Sequence, residues 1–508
     1  MPRKPLILVT VCLAALTINL DTTIVNVALP TLARELDADT NDLLWVVDGY
    51  NLAFAALVLA MGSLSDRFGR RPALLLGLGG FAASSAVAAL VTDVEALIAL
   101  RFVMGVSAAL IFPTTLSIIA NTFTDRRERA GALGVWGAAV GMGVALGPIT
   151  GGFLLEHFAW PSVFWALIPV AVLAMGMTLA FVPESRDTSV PAIDKPGLVL
   201  SIAALGTLTW TIIEGPEHGW TSVTTLTGFA VAAVLVAAFV AVERAVEHPM
   251  LDVTLFLDRR FSAACGAVTV AFFALFGFIF LITQFFQFVR DYSALGTGTR
   301  ILPVAISIAV ASIAGARLAP LLGSKAFVST GLALLGSSFL WISTLQVDVS
   351  YAATIVPQMV LMGLGLGLVS TAATESILQV LPPARAGVGS AVNDATRELG
   401  GTLGVAVVGS LFASLYGDRL ASLLDGRVDP STLERARESV GSADALAAQT
   451  PGLTGSFHDA FIEGLSAGCT LIGALCLAAA VVALLALPGD RYDPLAEGEL
   501  VDAADAAR

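Results

Sequence analysis

The chain has 508 residues, of which 56% are hydrophobic and only 13% charged, and its mean hydropathy is +0.85. Soluble domains carry about 25% charged residues, so a string of water-soluble domains is excluded and length counts membrane crossings instead. The net charge of −13 is a poor guide to partners, because membrane orientation follows local Lys and Arg while Asp and Glu contribute little. Cys12, Cys265, Cys469 and Cys476 stand singly in apolar runs without CxxC or Cys/His spacing. They read as packing residues, with no disulfide framework and no metal site expected.

A run of about 20 apolar residues is needed to cross a bilayer. Fourteen segments qualify: 6–29, 43–61, 73–92, 96–119, 131–154, 160–182, 197–215, 224–242, 262–289, 301–322, 327–346, 351–373, 388–416 and 458–486. The first follows Arg3 and Lys4 as a signal sequence would, but no small-residue cleavage site follows and the apolar run continues past Asp21, so it is predicted to be retained. Between the second and third lies Gly62–Pro72, a polar turn holding Asp66, Arg67, Gly69, Arg70 and Arg71. Such a basic cluster marks the cytoplasmic side. In the fifth segment, Gly143, Gly147, Gly151 and Gly152 surround Pro148. Glycines four apart let helices approach closely, and Pro148 removes a backbone donor and bends the helix. Generic small-residue packing explains the glycines but not the proline among them.

The rhythm then changes. Residues 183–196, with Pro183, Pro191 and Pro196, form a polar linker; two segments follow, and 243–260 is a second charged linker. The chain divides into a first half (1–182), two inserted helices with their linkers (183–260), a second half (261–487) and an acidic tail (488–508). The stretch from Gly315 to Lys325 echoes the Gly62–Arg71 turn, as in transporters built from repeated halves around a central site. In the long loop at 417–457, Ser431-Thr-Leu-Glu434 is a capping-box pattern that predicts a short helix.

Loop charge tests this count. With the N-terminus inside, eighteen Lys and Arg fall in cytoplasmic loops and tails, against only Arg34, Arg290 and Arg300 in short external loops. One missed helix would invert every later loop. Both termini are therefore expected in the cytoplasm.

No phosphate-binding loop or HExxH is present, so neither ATP hydrolysis nor zinc-dependent proteolysis is expected and an ion gradient is the expected driver. Ionisable residues inside helices are costly unless they face a cavity or a partner. Asp21 lies about 15 residues into its helix, roughly 22 Å from the inner surface at about 1.5 Å per residue. Arg101 and Asp48 are each about five residues from the outer start of theirs, which puts the three at one depth. A carboxylate beside an arginine can exchange the ion pair for a proton, so the group reads as a proton-coupling or cation-binding cluster, or as a structural polar pair joining three helices. Asp48 is near enough to its helix start to reach the headgroups. Gln284 and Gln287 can bind a solute or cap their helix. Glu375, Asp394, Arg397 and Glu398 read as a charge network at the inner ends of the twelfth and thirteenth segments. Phe102, Met104 and the phenylalanines from Phe272 to Phe286 can line a pocket or simply pack.

These residues together resemble the major facilitator superfamily, and within it the fourteen-helix drug:proton antiporters. The Gly62–Arg71 turn is similar to that superfamily's loop between helices two and three, and Arg101-Phe-Val-Met-Gly105 to its fourth-helix motif. Gly143–Gly152 resembles the fifth-helix antiporter motif, and Leu20-Asp21-Thr-Thr-Ile-Val-Asn26-Val-Ala28-Leu29-Pro30 the first-helix motif of the drug exporters. The resemblance implies an all-α membrane fold with six, two and six helices, in the inner membrane. It implies a proton-coupled exporter, with no cofactor but the proton gradient, for an amphipathic and cationic organic compound. Its expected partners are the solute, protons and lipid, with no nucleic acid, and it is expected to act as a monomer. Asp21, Asn26 and Arg101 become coupling or substrate residues. Asp66 and Arg70 become parts of a cytoplasmic latch between the halves, with Asp125 as a partner for Arg70. A lipid or metabolite exporter, or a nutrient symporter, fits the same fold. Two departures bear on the outer face: Trp160-Pro-Ser-Val-Phe164 lacks the family's arginine, and Asp291 stands where glycine is usual.

Overall fold

The structure, a computed structural model, describes residues 4–186, 194–247, 249, 251–380, 386–450 and 452–487. Arg3, the middle of the first linker, the acidic tail and the side chains of 316–322 in the second-half echo lie outside the described residues. Among the described residues, fourteen helices are long and apolar enough to cross a membrane. They are α1 (Lys4–Glu35), α2 (Thr40–Phe68), α3 (Arg70–Ala88), α4 (Val94–Thr122), α5 (Arg126–His157), α6 (Ser162–Phe181), α7 (Lys195–Ile213), α8 (Val223–Ala245), α9 (Arg259–Val289), α10 (Ala294–Leu322), α11 (Ser324–Ile342), α12 (Tyr351–Ile377), α13 (Ala386–Leu424) and α14 (Thr454–Ala486).

Polar residues at the segment ends start these helices. Asp39, Asp93, Asp194, Ser222 and Asp258 each accept a first-turn N–H of α2, α4, α7, α8 and α9, satisfying donors that would otherwise be orphaned. The turns between α2 and α3 and between α10 and α11 are each made at one glycine in a positive-φ conformation, Gly69 (φ 121°) and Gly323 (φ 89°), where a side chain would strain the backbone.

The two sets of six pack alike. In the first, α1 lies against α5 and α6, α2 against α4, and α3 against α4 and α6. In the second, α9 lies against α13 and α14, α10 against α12, and α11 against α12 and α14. Glycine contacts repeat as well. Gly105 of α4 abuts the Tyr50 carbonyl on α2, and Gly363 of α12 abuts the Val304 carbonyl on α10. Two seams join the sets, α2 with α13 and α5 with α10. The inserted pair packs together, and α7 lies against both α2 and α13, covering that seam.

The long loop departs from the expected form. α13 has 39 residues, about 58 Å at about 1.5 Å per residue, well beyond the roughly 30 Å hydrocarbon core. It runs on to Leu424; a short helix, Pro430–Glu438, packs on it, and a second, Val440–Gln449, packs on that helix and on α1 and α14. The cap of the first is Asp429, which accepts the Thr432 N–H, rather than Ser431 as the capping-box pattern suggested.

Candidate functional site

Asp21 and Arg101 meet. Arg101 donates to the Asp21 carboxylate at 2.8 Å, with neither side chain appreciably exposed. The Arg101 Nε–H donates to the Val46 carbonyl at 2.8 Å, and its guanidinium lies 4.4 Å above the Tyr50 ring. Three helices are thus fastened at one arginine, whose planar fork suits several partners at once. Oδ1 of Asp21 is buried without a hydrogen-bond partner, so one carboxylate oxygen remains open to a proton.

Asp48 does not reach a headgroup layer as its position near the helix start suggested. It is fully buried and in no ion pair among the described residues, and its polar neighbour is the side chain of Asn51, three residues on and likewise buried. One turn before Asp48, Leu44 packs against Gly409 of α13, so helical spacing turns Asp48 toward the same seam.

Between the halves lies a cavity of about 50 Å³. Asn19, Thr22, Phe54 and Phe112 line it from the first half, and Phe272, Phe276, Asp394, Arg397 and Glu398 from the second. Asp394, Arg397 and Glu398 interact as a charge network, and it stands on the cavity wall. Asp394, Arg397 and Glu398 stand at i, i+3 and i+4 on α13 and so share one face, which is the cavity face. Glu375 is not in that lining; beside it, Thr374 donates to Asn393 at 3.0 Å and ties α12 to α13. Arg397 lies 4.4 Å above the Phe272 ring. Asp394 and Glu398 are in no ion pair among the described residues.

An aromatic chain links the ion pair to this cavity. Tyr50, beneath Arg101, meets Phe54 at 6.1 Å, Phe54 meets Phe112 at 5.8 Å, and Phe112 meets Trp136 at 5.0 Å. Tyr50, Phe54 and Asn19 were missed at the sequence level. The available signal is the polar series Asn19, Thr22, Thr23 and Asn26, which has helical spacing and places Asp21 off that stripe. Asn26 itself is buried and donates to the Thr22 carbonyl at 2.7 Å.

The cavity is closed at the end of the bundle that carries the two loop helices. There Gln287 donates to the Val27 carbonyl at 2.9 Å, Thr40 to Glu438 at 2.9 Å and Ser439 to Ala38 at 3.2 Å, all between the halves. Gln287 is thus a tie between halves, and neither it nor Gln284, whose amide donates to Phe280, lines the cavity. Arg34 and Asp444 add a pair at 3.8 Å; burial raises the Asp444 carboxyl above its ordinary range, against the pull of Arg34. Asp291 adopts φ 50°, a conformation natural to glycine and tolerated by aspartate.

The glycine motif welds α5 to its neighbours. A Cβ on Gly143 would stand 2.8 Å from Asn19 Cβ, and one on Gly151 2.8 Å from Ile24 Cγ1, both on α1. Gly147 sits equally tightly against Thr23, and Gly152 against Ala294 and Leu295 of α10. The Pro148 carbonyl lies against Gly298. At the opposite end, the Gly62–Arg71 turn is bonded within its own half and to the linker that follows it. Gly62 packs on Pro113, Arg70 pairs with Asp66 at 2.7 Å, the Arg70 N–H donates to Ser185, and Arg71 donates to Leu179. Arg67 lies 5.9 Å above the Phe68 ring, and Asp125 accepts the Glu128 N–H at 2.9 Å.

Known proteins share this arrangement. A family model described as Major Facilitator Superfamily matches residues 11–405. The chain is 35% identical over 480 residues to a protein of Mycolicibacterium smegmatis named Multidrug efflux pump LfrA, covering 94% of each. It is 32% identical to the Tetracenomycin C resistance and export protein of Streptomyces glaucescens, over 99% of this chain and 95% of that one. It is also 32% identical to the Methyl viologen resistance protein SmvA of Salmonella typhimurium, over 94% of this chain and 97% of that one. Among solved structures, an inward-facing, occupied bacterial homologue of the human lysosomal transporter Spinster superposes with a TM-score of 0.66 at 16% identity, covering 97% and 99% of the two chains. The human organic anion transporter MFSD10 gives 0.60 at 17% identity, covering 95% and 100%. These two likenesses concern the fold alone.

Proposed function

We propose, from the premise that the chain belongs to the major facilitator superfamily, that it is a multi-pass inner-membrane antiporter exporting amphipathic organic cations in exchange for protons. The observation that carries this reading is the buried Asp21–Arg101 pair, with one carboxylate oxygen unpartnered and an aromatic chain running from it to the cavity wall. In low dielectric an ion pair is strong and a lone buried charge is costly. Protonating Asp21 breaks the pair and leaves Arg101 to the Val46 carbonyl and the Tyr50 ring, which changes how α1, α2 and α4 hold together. Asp48, buried and in no ion pair in the α2–α13 seam, is a second carboxylate that a proton would neutralise as the halves move.

The cargo would meet Asp394 and Glu398, two carboxylates in no ion pair on the wall of an otherwise largely apolar cavity. Arg397 on the same wall offsets one of the two charges; an organic cation offsets the second, and the cavity phenylalanines add cation–π attraction. That relatives are named for multidrug efflux and for resistance to methyl viologen, a dication, supports this chemistry. A relative named for export of tetracenomycin C supports a second reading, in which the physiological cargo is a metabolite leaving by the same route.

With both termini in the cytoplasm, the end closed by Gln287 and Thr40 is external and the cavity belongs to the inward-facing state. Alternating access then rocks the halves about the cavity, and the Gly62–Arg71 turn latches them when the inner side closes. Asp125 would enter that latch as a partner for Arg70. No nucleotide or other cofactor takes part, and one chain suffices. Purified protein in liposomes should move a fluorescent cation against its gradient only when a proton gradient is imposed. Transport by Asp21→Asn at the wild-type rate under the same gradient would falsify the coupling role.

A further inference from the structure

A second hollow adjoins the central cavity, at the α5–α10 seam. Its walls include Val144 and Pro148 of α5, Leu275 and Ile279 of α9, and Leu302 and Ala305 of α10, around a narrow space of about 30 Å³. Thr23, Val144, Leu275 and Ile279 line both spaces, so the two lie side by side with these residues at their common border. Its roof is the crossing of α5 and α10, where Gly298 lies against the Pro148 carbonyl and Gly152 against Ala294 and Leu295. The polar side chain in the lining is Thr23, whose hydroxyl is already bonded to the Asn19 carbonyl at 2.9 Å. The central cavity carries carboxylates, and the hollow carries none.

The two seams also differ on their outer sides. At α2–α13 the inserted helix α7 packs on both partners, and Trp45 donates to Glu214 at its end. At α5–α10, Met142, Leu146, Ile306 and Val310 are exposed, so this seam faces lipid with no inserted helix over it. The hollow is therefore an apolar annex on the bilayer side of a charged site.

We propose that this hollow is a subsite for the hydrocarbon arm of the exported amphiphile, while its cationic head sits at Asp394 and Glu398. The proposal rests on the cation-exporter reading and adds to it a selection for one extended apolar arm. Burying each methylene in such a site tightens binding about fourfold, from the transfer free energy of a CH₂ group. The gain stops when the hollow is full. Ala305 and Leu302 set that limit from opposite directions, since a larger side chain at 305 fills the hollow and a smaller one at 302 enlarges it.

The test uses the full chain in lipid nanodiscs and a series of alkyltrimethylammonium ions, from tetramethylammonium to a dodecyl chain. Bound cation is measured at equilibrium, with matched empty nanodiscs subtracted. Wild type should bind about fourfold more tightly per methylene up to a plateau. Ala305→Phe should bind tetramethylammonium as wild type does but reach its plateau at a shorter chain, and Leu302→Ala should reach it at a longer one. If Ala305→Phe does not fold, the direction of the Leu302→Ala shift still decides. Chain-length profiles that coincide in wild type and both variants would overturn the subsite, as they would if a bilayer acyl chain fills the hollow. Absence of tetramethylammonium and long-chain binding in wild type would instead overturn the underlying cation reading.

Discussion

The two halves treat charge in opposite ways. Asp21 and Arg101 close on each other at 2.8 Å behind the wall of the first half, leaving Asn19, Thr22, Phe54 and Phe112 to face the cavity. In the second half the charged residues stand on α13, which packs on α9 as α5 packs on α1, and they face the cavity. The fifth helix of each half uses glycine for close approach: Gly143, Gly147 and Gly151 against α1, and Gly400 and Gly404 against α9. The difference is on the cavity side, where α5 presents Val140 and Val144 and α13 presents Asp394, Arg397 and Glu398. Duplicated scaffolding has been given divided work. On the proposed reading, the first half holds a concealed switch and the second half supplies the charge that a solute touches.

The severest way to break this division is to remove Arg101. Arg101→Ala leaves Asp21 as an uncompensated buried charge and should cost about 3–5 kcal/mol of stability, seen as a lower unfolding midpoint and loss of export. Arg101→Lys keeps the charge but not the planar fork that serves Asp21, Val46 and the Tyr50 ring together, so it should recover only part of that loss. Next in size is Asp21→Asn, which removes the titrating group but keeps an acceptor for Arg101. It should fold, bind cations in the cavity, and lose at least about tenfold of gradient-driven transport, since the proton cycle has no carrier. Cation binding and gradient-driven transport, measured on one preparation, separate the two roles.

The second half should answer in the reverse sense. Asp394→Asn or Glu398→Gln should weaken binding of a cationic solute by about tenfold, the size expected for one lost charge-assisted contact. A neutral solute of similar shape should bind unchanged. If both classes weaken equally, the carboxylates shape the cavity rather than read charge. If neither weakens, the cation is held elsewhere.

Much of this was legible in advance. Hydropathy and loop charge marked all fourteen crossings, because a span needs an unbroken apolar run and the polar loops between them are short. Asp21 and Arg101 could be matched by depth alone, because counting along their oppositely running segments brings both to one level. The cavity position of Asp394 and Glu398 was not legible, for a complementary reason. Depth along a helix says nothing of where two halves part, and here the parting brings the inner turns of α13 to the cavity wall. Asp48 illustrates the same limit, since a residue near a helix start is exposed only if no neighbour covers that start, and at this seam α13 does. The end of α13 was hidden because the helix continues as a polar, projecting rod after its apolar run stops. Tyr50, Phe54 and Phe112 could not be separated from ordinary core aromatics, since only a partner such as Arg101 or a cavity distinguishes them.

The smallest expected effect concerns the Gly62–Arg71 turn and sharpens the contrast between the halves at their inner ends. Here the turn's bonds run to Leu179 of its own half and to Ser185 in the linker that follows it, while the cross-half ties lie at the other end of the molecule. A latch that is disengaged in this state contributes to the balance between states rather than to the fold. The Asp66–Arg70 pair is partly exposed, so Arg70→Ala should change stability by no more than about 1 kcal/mol. Spread over two conformations of near-equal energy, that same 1 kcal/mol moves their ratio by about fivefold. Spin-label distances across the inner ends of α2 and α10 should therefore show a larger inward-open fraction in Arg70→Ala, with cation affinity altered by less than about twofold. An unchanged distance distribution would mean that the turn serves only to join α2 to α3, as the Gly323 turn joins α10 to α11, and the two halves would be equivalent there after all.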